Sequence, residues 1–132
     1  MAMMASVEVA EFADMLAALT AAWRAGDRVG VRAFMADDPH VAMGGPGSAL
    51  PGAIGPAAVA AMIDMLVNPL PEGAGVFPGA VKGYAIGDLG WLNCDAQLRL
   101  PGQAPRGWFI TMVVKREDGQ WRFLNFGAFA GA

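Results

Sequence analysis

Phe12, Met15, Leu16, Leu19 and Trp23 recur at spacings of three and four, which predicts one amphipathic helix over residues 7–25. Ser6 suits its N-cap and Gly26 its close. Asp27 then caps a short second helix, 28–36, which buries Val31, Phe34 and Met35 and stops at Asp37-Asp38-Pro39. "HVAM" reads as a brief strand, and the glycine- and proline-rich run 44–56 as loop. Pro56 opens a third helix, 56–68, with the buried stripe Val59, Met62, Ile63 and Leu66. From residue 76 on the period changes to strands: "VFPGAVKGYAI", a turn at Gly87-Asp88, "LGWLNCDAQLRL", "GWFITMVVKR", a turn at 117–119, and "QWRFLNFGAF". The order is ααβαββββ. Helices massed early and hairpin-linked strands late predict an α+β fold, one curved, mostly antiparallel sheet wrapped around the long N-terminal helix. All 132 residues read as a single domain with its core over about 7–129.

Alternation along each strand predicts its faces. On 89–100, Leu92, Cys94, Ala96, Leu98 and Leu100 should face the helix, and Trp91, Asn93, Asp95, Gln97 and Arg99 should face away. On 107–116 both sets are apolar. Phe109, Thr111 and Val113 are placed inward, which leaves Trp108, Ile110, Met112 and Val114 to be covered by a partner. On 121–128 either Trp121, Phe123 and Asn125 or Leu124, Phe126 and Ala128 could point inward, because a bulge would switch the faces.

Composition removes several function classes. The chain is 55% hydrophobic and only 16% charged, which excludes a disordered chain. With a formal charge of -3 and only two lysines, Lys82 and Lys115, it has no basic patch to displace counterions from nucleic acid. One cysteine and one histidine leave no multi-thiolate or multi-histidine metal site, and no nucleotide loop is present, so neither metal nor cofactor is expected. The apolar segment "PAAVAAMIDMLV" carries Asp64 and is too short for the ~20 residues of a membrane span. "MAMMASVEVAEF" lacks a basic n-region and carries two glutamates, so no signal peptide is expected and a cytoplasmic location is the default.

Three stretches, "AGDRVGVRAFMADD", "GAIGPAAVAAMI" and "GDLGWLNC…GQAPRGWFITMVVKREDGQWRF", stand in an order and spacing that cover roughly residues 10–128. In these the chain resembles the SnoaL-like and ketosteroid-isomerase-like branch of the nuclear-transport-factor-2-like superfamily. The resemblance implies a cone-shaped, cystatin-like fold, a ligand pocket between helices and sheet, and a homodimer through the outer sheet face. Ketosteroid isomerases place a base on the first strand, a tyrosine on the first helix and an acidic donor on the third long strand. Counting without gaps, these positions fall on Met43, Leu19 and Thr111. Met43 takes no proton, Leu19 gives none and Thr111 is a neutral donor, so that mechanism is not expected here.

The remaining candidates are modest. Asp38 and its neighbour Asp37 could form an acid–base pair or simply end a helix. His40, with its near-neutral titration, could be a base, but alternation turns it away from Val41 and Met43. Asp95 and Arg99 invite comparison with epoxide hydrolases of this fold, yet four strand residues separate them by about 13 Å. Asp64 lies off its helix's apolar stripe, and Cys94 has no histidine on its face, so it reads as a small buried hydrophobe. "GGPGS" lacks a phosphate-loop pattern and suits a flexible lip over the pocket mouth. The expected pocket is lined by Leu19, Trp23, Phe34, Met43, Cys94, Ala96, Thr111 and Asn125. Thr111, Asn125, Asp38 and His40 are the candidates for chemistry. The expected function is a cofactor-independent cyclase, isomerase or lyase acting on a mostly apolar polyketide-like, terpenoid or polycyclic molecule. The alternative is a non-catalytic binder of such a molecule or a dimeric scaffold.

Overall fold

A computed structural model describes residues 7, 8 and 10–131, with side chains from residue 10. The elements are β1 (Val7–Glu8), α1 (Glu11–Arg24), α2 (Arg28–Arg32), β2 (Ala42–Met43), β3 (Ala53–Ile54), α3 (Pro56–Leu66), β4 (Gly75–Ile86), β5 (Leu89–Arg99), β6 (Arg106–Glu117) and β7 (Gln120–Ala130). One sheet runs in the order β1-β4-β5-β6-β7-β2-β3, antiparallel except where β2 runs parallel to β7. The expected α+β architecture is present, a bent sheet with helices on its inner face.

Several boundaries move. Residues 7 and 8 pair with β4 rather than opening the first helix, which begins at Glu11. Ala10 stands at its N-cap without a side-chain bond, and Ser6 lies outside the described residues. Asp27 caps α2 as expected, its carboxylate accepting from the Gly30 N–H at 2.9 Å. α2 closes at Arg32 because Ala36 and Phe123 take over the backbone bonding: Ala36 N–H donates to Phe123 O and Phe123 N–H to Phe34 O. Within the expected loop, Ala53–Ile54 forms an edge strand against β2.

The turn chemistry is as read. Gly87-Asp88 links the partners Ile86 and Leu89, and Asp118-Gly119, both at positive φ, links Glu117 and Gln120.

The core is set by α1. Phe12, Leu16 and Leu19 are fully buried and Met15 nearly so; a fully buried side chain of this size contributes roughly 1.5–3 kcal/mol. Phe12 seats on a floor that has no side chains. A Cβ at Gly83 would stand 2.9 Å from Phe12 Cε2, and one at Gly90 would stand 2.8 Å from Phe12 Cζ. The edge of the same ring meets Trp121 at 5.1 Å between centroids and 80° between planes.

Register corrects the face assignment of β6. Cys94 pairs with Ile110, Leu92 with Met112 and Ala96 with Trp108, so these even-numbered residues share the inner face. Ile110, Met112 and Val114 are buried beneath the chain's own helices and need no partner. Phe109, Thr111 and Val113 face outward, beside Asp95, Asn93 and Trp91. On β7 a bulge does switch the faces: Val113 pairs with Asn125 and Val114 with Phe123, which leaves Leu124 as the extra residue. Trp121 and Phe123 therefore point inward on one side of the bulge, and Phe126 and Ala128 on the other.

Replacing Gly83 or Gly90 with alanine forces Phe12 off the sheet. The expected loss is about 1–3 kcal/mol in chemical denaturation, the range for overpacked cores. Stability equal to the parent in both variants would show that α1 is not held by this contact.

Candidate functional site

The inner face of the sheet and the C-terminal half of α1 enclose a cavity of about 120 Å³. Leu19, Thr20, Trp23 and Arg24 contribute from α1, Val76 from β4, Trp108 and Ile110 from β6, and Phe126 and Ala128 from β7. Leu50 closes it from the β2–β3 loop. That loop is tied down: Ala49 N–H donates to Ala128 O at 2.7 Å, and Ser48 Oγ donates to the same oxygen at 3.0 Å. The glycine-rich stretch 44–48 itself does not line this cavity; Gly44, Gly45 and Pro46 border a second depression, and Leu50 is the loop's contact here.

The walls are almost wholly apolar. Thr20 keeps its hydroxyl within the helix, donating to Leu16 O at 2.8 Å. Trp23 is half-buried, its ring 6.0 Å from that of Phe126. Arg24 is the one ionisable side chain among the lining residues. Its Nη1 donates to Val76 O at 2.7 Å and its guanidinium lies 4.2 Å from the Phe77 ring centroid.

Of the expected lining residues, Leu19 and Trp23 are here. Cys94 and Ala96 lie on the same inner face, next to Ile110 and Trp108, but are packed into the core. Burial raises the Cys94 thiol pKa, so it stays protonated and unreactive. Phe34 packs against the core from the turn after α2, outside the cavity. Met43 is 1% exposed and belongs to the core rather than to the cavity wall. It also underlies the second depression, about 590 Å³, between the β2–β3 hairpin and Asn125. Despite its volume this depression is more open to solvent and more polar than the smaller cavity, and four of its nine lining residues are glycine or proline, so the smaller cavity is the better ligand site.

Thr111 and Asn125 are on the outer sheet face, turned there by the β5–β6 register and the β7 bulge. His40 is exposed, its side chain 89% accessible. Asp38 sits outside the cavity in an ion-pair network. Lys115 Nζ is 3.1 Å from Asp38 Oδ2 and 3.6 Å from Glu117 Oε2, and Arg122 is 3.4 Å from Glu117 Oε1. Asp64 pairs with Arg32, and Asp95 and Arg99 are exposed. Sequence reading missed Thr20, Arg24, Leu50, Val76, Trp108, Ile110, Phe126 and Ala128. Thr20 and Arg24 stand one position after Leu19 and Trp23 on the same helix flank, a signal that was available. The β6 and β7 residues required the register.

A cone of helices under a bent sheet, with an apolar cavity inside, defines a nuclear-transport-factor-2-like protein. The model of the SnoaL-like domain matches residues 13–127, and the chain belongs to that family. No curated protein matches. Among solved structures, a protein from Thiobacillus denitrificans is 28% identical, with a TM-score of 0.74 over 94% of this chain and 96% of that one. It is provisionally named a calcium/calmodulin-dependent protein kinase type II association domain. An NTF2-like protein of unknown function from Pseudomonas putida is 17% identical, with a TM-score of 0.71 over 92% and 84% of the two chains. A protein of the NTF2-like family from Streptomyces avermitilis, provisionally named a dehydratase, is 18% identical, with a TM-score of 0.69 over 92% and 94%. At these identities the last two likenesses concern the fold alone.

The Asp38 network gives a pH prediction. The His40 backbone N–H is the largest cause holding the Asp38 carboxyl below its ordinary pKa, and Lys115 adds to it. A carboxylate with a lowered folded pKa contributes stability above its unfolded value and loses it as pH falls through the folded one. Asp38→Asn retains an oxygen for the His40 N–H but removes the charge. It should melt below the parent at pH 6–7, with the gap closing below about pH 4. A gap unchanged down to pH 2.5 would show that the charge plays no part.

Proposed function

We propose that this chain binds a small, mostly apolar molecule in the cavity between α1 and the sheet, without acid–base catalysis. The observation that carries this reading is the chemistry of the walls. Nine of the ten lining residues carry no ionisable group, and the tenth is Arg24. A cyclase, isomerase or lyase working by proton transfer needs a group within hydrogen-bond reach that can give and take a proton near neutral pH. The Thr20 hydroxyl is committed to Leu16 O, and an arginine keeps its proton throughout that range. The binding alternative is therefore better supported than the catalytic one.

Size narrows the ligand. Drug-sized pockets run to roughly 300–1,000 Å³, whereas an apolar cavity of about 150 Å³ admits benzene. At about 120 Å³ this cavity suits one ring or a short branched chain rather than a polycyclic molecule.

A homodimer through the outer sheet face also remains a proposal, on residues different from those first expected. Tyr84, Ile86, Leu89, Trp91 and Val113 are each at least 40% exposed, and the register makes all five neighbours on β4, β5 and β6. Tyr84 and Trp91 stack at 5.8 Å. Such a contiguous exposed apolar patch favours a partner of like kind. The name of the Thiobacillus neighbour, an association domain, points the same way.

Two measurements bear on these readings. Ala128→Leu fills the cavity. Toluene binding followed by NMR should fall at least tenfold while the melting temperature holds or rises, as cavity-filling changes do; undiminished binding would place the ligand elsewhere. Light scattering should give a dimer for the parent and a monomer for Trp91→Lys, and a parent that is monomeric at micromolar concentration would exclude this interface.

A further inference from the structure

We infer that the ligand is an amphiphilic acid: a small apolar body fills the cavity and its carboxylate rests on Arg24 at the mouth. This rests on the reading of the cavity as a ligand site and adds the head group.

Arg24 is held in place from three sides. Its stem passes Gly75, where a Cβ would stand 2.5 Å from Arg24 Cγ and 2.9 Å from Cδ, so any larger residue would displace it. Nη1 is fixed on Val76 O and the guanidinium face on Phe77. A guanidinium carries five N–H donors, and here one is used. The fork is thus pre-oriented, with most of its donors without a partner among the described residues.

Arg99 also lies on Phe77, its Cζ 4.4 Å from the ring centroid, and its donors go to the neutral Gln97 amide oxygen at 3.1 and 3.3 Å. Neither Arg24 nor Arg99 makes an ion pair among the described residues. Arg32, Arg116 and Arg122 each have a carboxylate, Asp64, Asp88 and Glu117 respectively. Arg28 and Arg106 have amide or carbonyl partners, but neither lines the cavity. Two cations therefore share the Phe77 ring, and of the two Arg24 lines the cavity.

A carboxylate matches the guanidinium fork with two parallel charge-assisted bonds. The apolar wall lowers the local dielectric and strengthens that pair relative to open water. A cationic head would be repelled, and a neutral one would gain only ordinary hydrogen bonds. With a body limited to one ring or a short branched chain, the class is aryl or short-chain alkyl carboxylates.

The test uses matched pairs, benzoate with benzamide and phenylacetate with phenylacetamide, titrated by NMR at pH 7 with toluene as a neutral reference. Each acid should bind at least tenfold more tightly than its amide, and added salt should narrow the difference. Arg24→Gln should bring the acid down to the amide's affinity and leave the amide unchanged; Arg24→Lys should keep part of the preference. The parent comparison needs no variant, so it stands even if Arg24→Gln fails to fold. If acid and amide bind alike, or only toluene binds, the head-group assignment is overturned and the apolar cavity survives. If toluene also fails to bind, the cavity reading falls with it.

Discussion

The contact between Phe12 and the glycine floor of Gly83 and Gly90 sets the geometry of the molecule. Without side chains at those two positions, α1 comes down onto β4 and β5 at its N-terminal end, and Trp121 closes the ring's free edge. The cavity opens at the other end of the same helix, beside Leu19, Trp23 and Arg24. From Phe12 to Trp23 the helix rises about 16 Å, enough for a small divergence from a bent sheet to become a gap. One close approach at one end thus fixes how much space is left at the other. The bulge at Leu124 serves the same end, since it lets both Phe123 and Phe126 point inward, where their rings meet at 5.5 Å and 85°.

Polarity is arranged around that frame. Ionisable groups are gathered outside: the Asp38–Lys115–Glu117–Arg122 network ties the loop after α2 to the end of the sheet, and Arg32 with Asp64 joins α2 to α3. Inside, the Thr20 hydroxyl is spent on its own helix, while the buried Trp121 Nε1–H has no partner among the described residues. The positions that would supply acid and base in ketosteroid isomerases hold Leu19, Met43 and Thr111; two are core residues and the third is turned outward. On the proposed reading, such a site works by exclusion of water and by shape. Arg24 is the exception: it lines the cavity, and among the described residues its guanidinium has no carboxylate partner.

Much of this was legible in the residues. The 3.6 period of Phe12, Met15, Leu16 and Leu19, the Asp27 cap, Pro56 and the two glycine turns placed three helices and the hairpins. The inner face of β5 followed from alternation, since its two faces differ in polarity. On β6 both faces are apolar, and the decision between them lay in the connection to β5. Leu98 pairs with Arg106, so even-numbered residues face even-numbered ones across the hairpin and Ile110, not Thr111, points inward. Gapless counting from a resembling family could not supply that register. On β7 a one-residue bulge leaves no mark in a hydrophobic pattern that is apolar on both sides. The site was accordingly readable only on its helix side, Leu19 and Trp23 but not Ile110, Phe126 or Ala128 from the sheet.

The central claim, a dry apolar cavity able to take a small hydrophobic body, is tested most directly by a crystal pressurised with xenon. Empty apolar cavities of this size bind xenon, whereas polar ones hold ordered water. The account predicts one strong xenon peak enclosed by Leu19, Trp23, Ile110, Phe126 and Ala128. Ordered water there, or a cavity closed by inward collapse of Leu50 and Trp108 with no xenon, would contradict it.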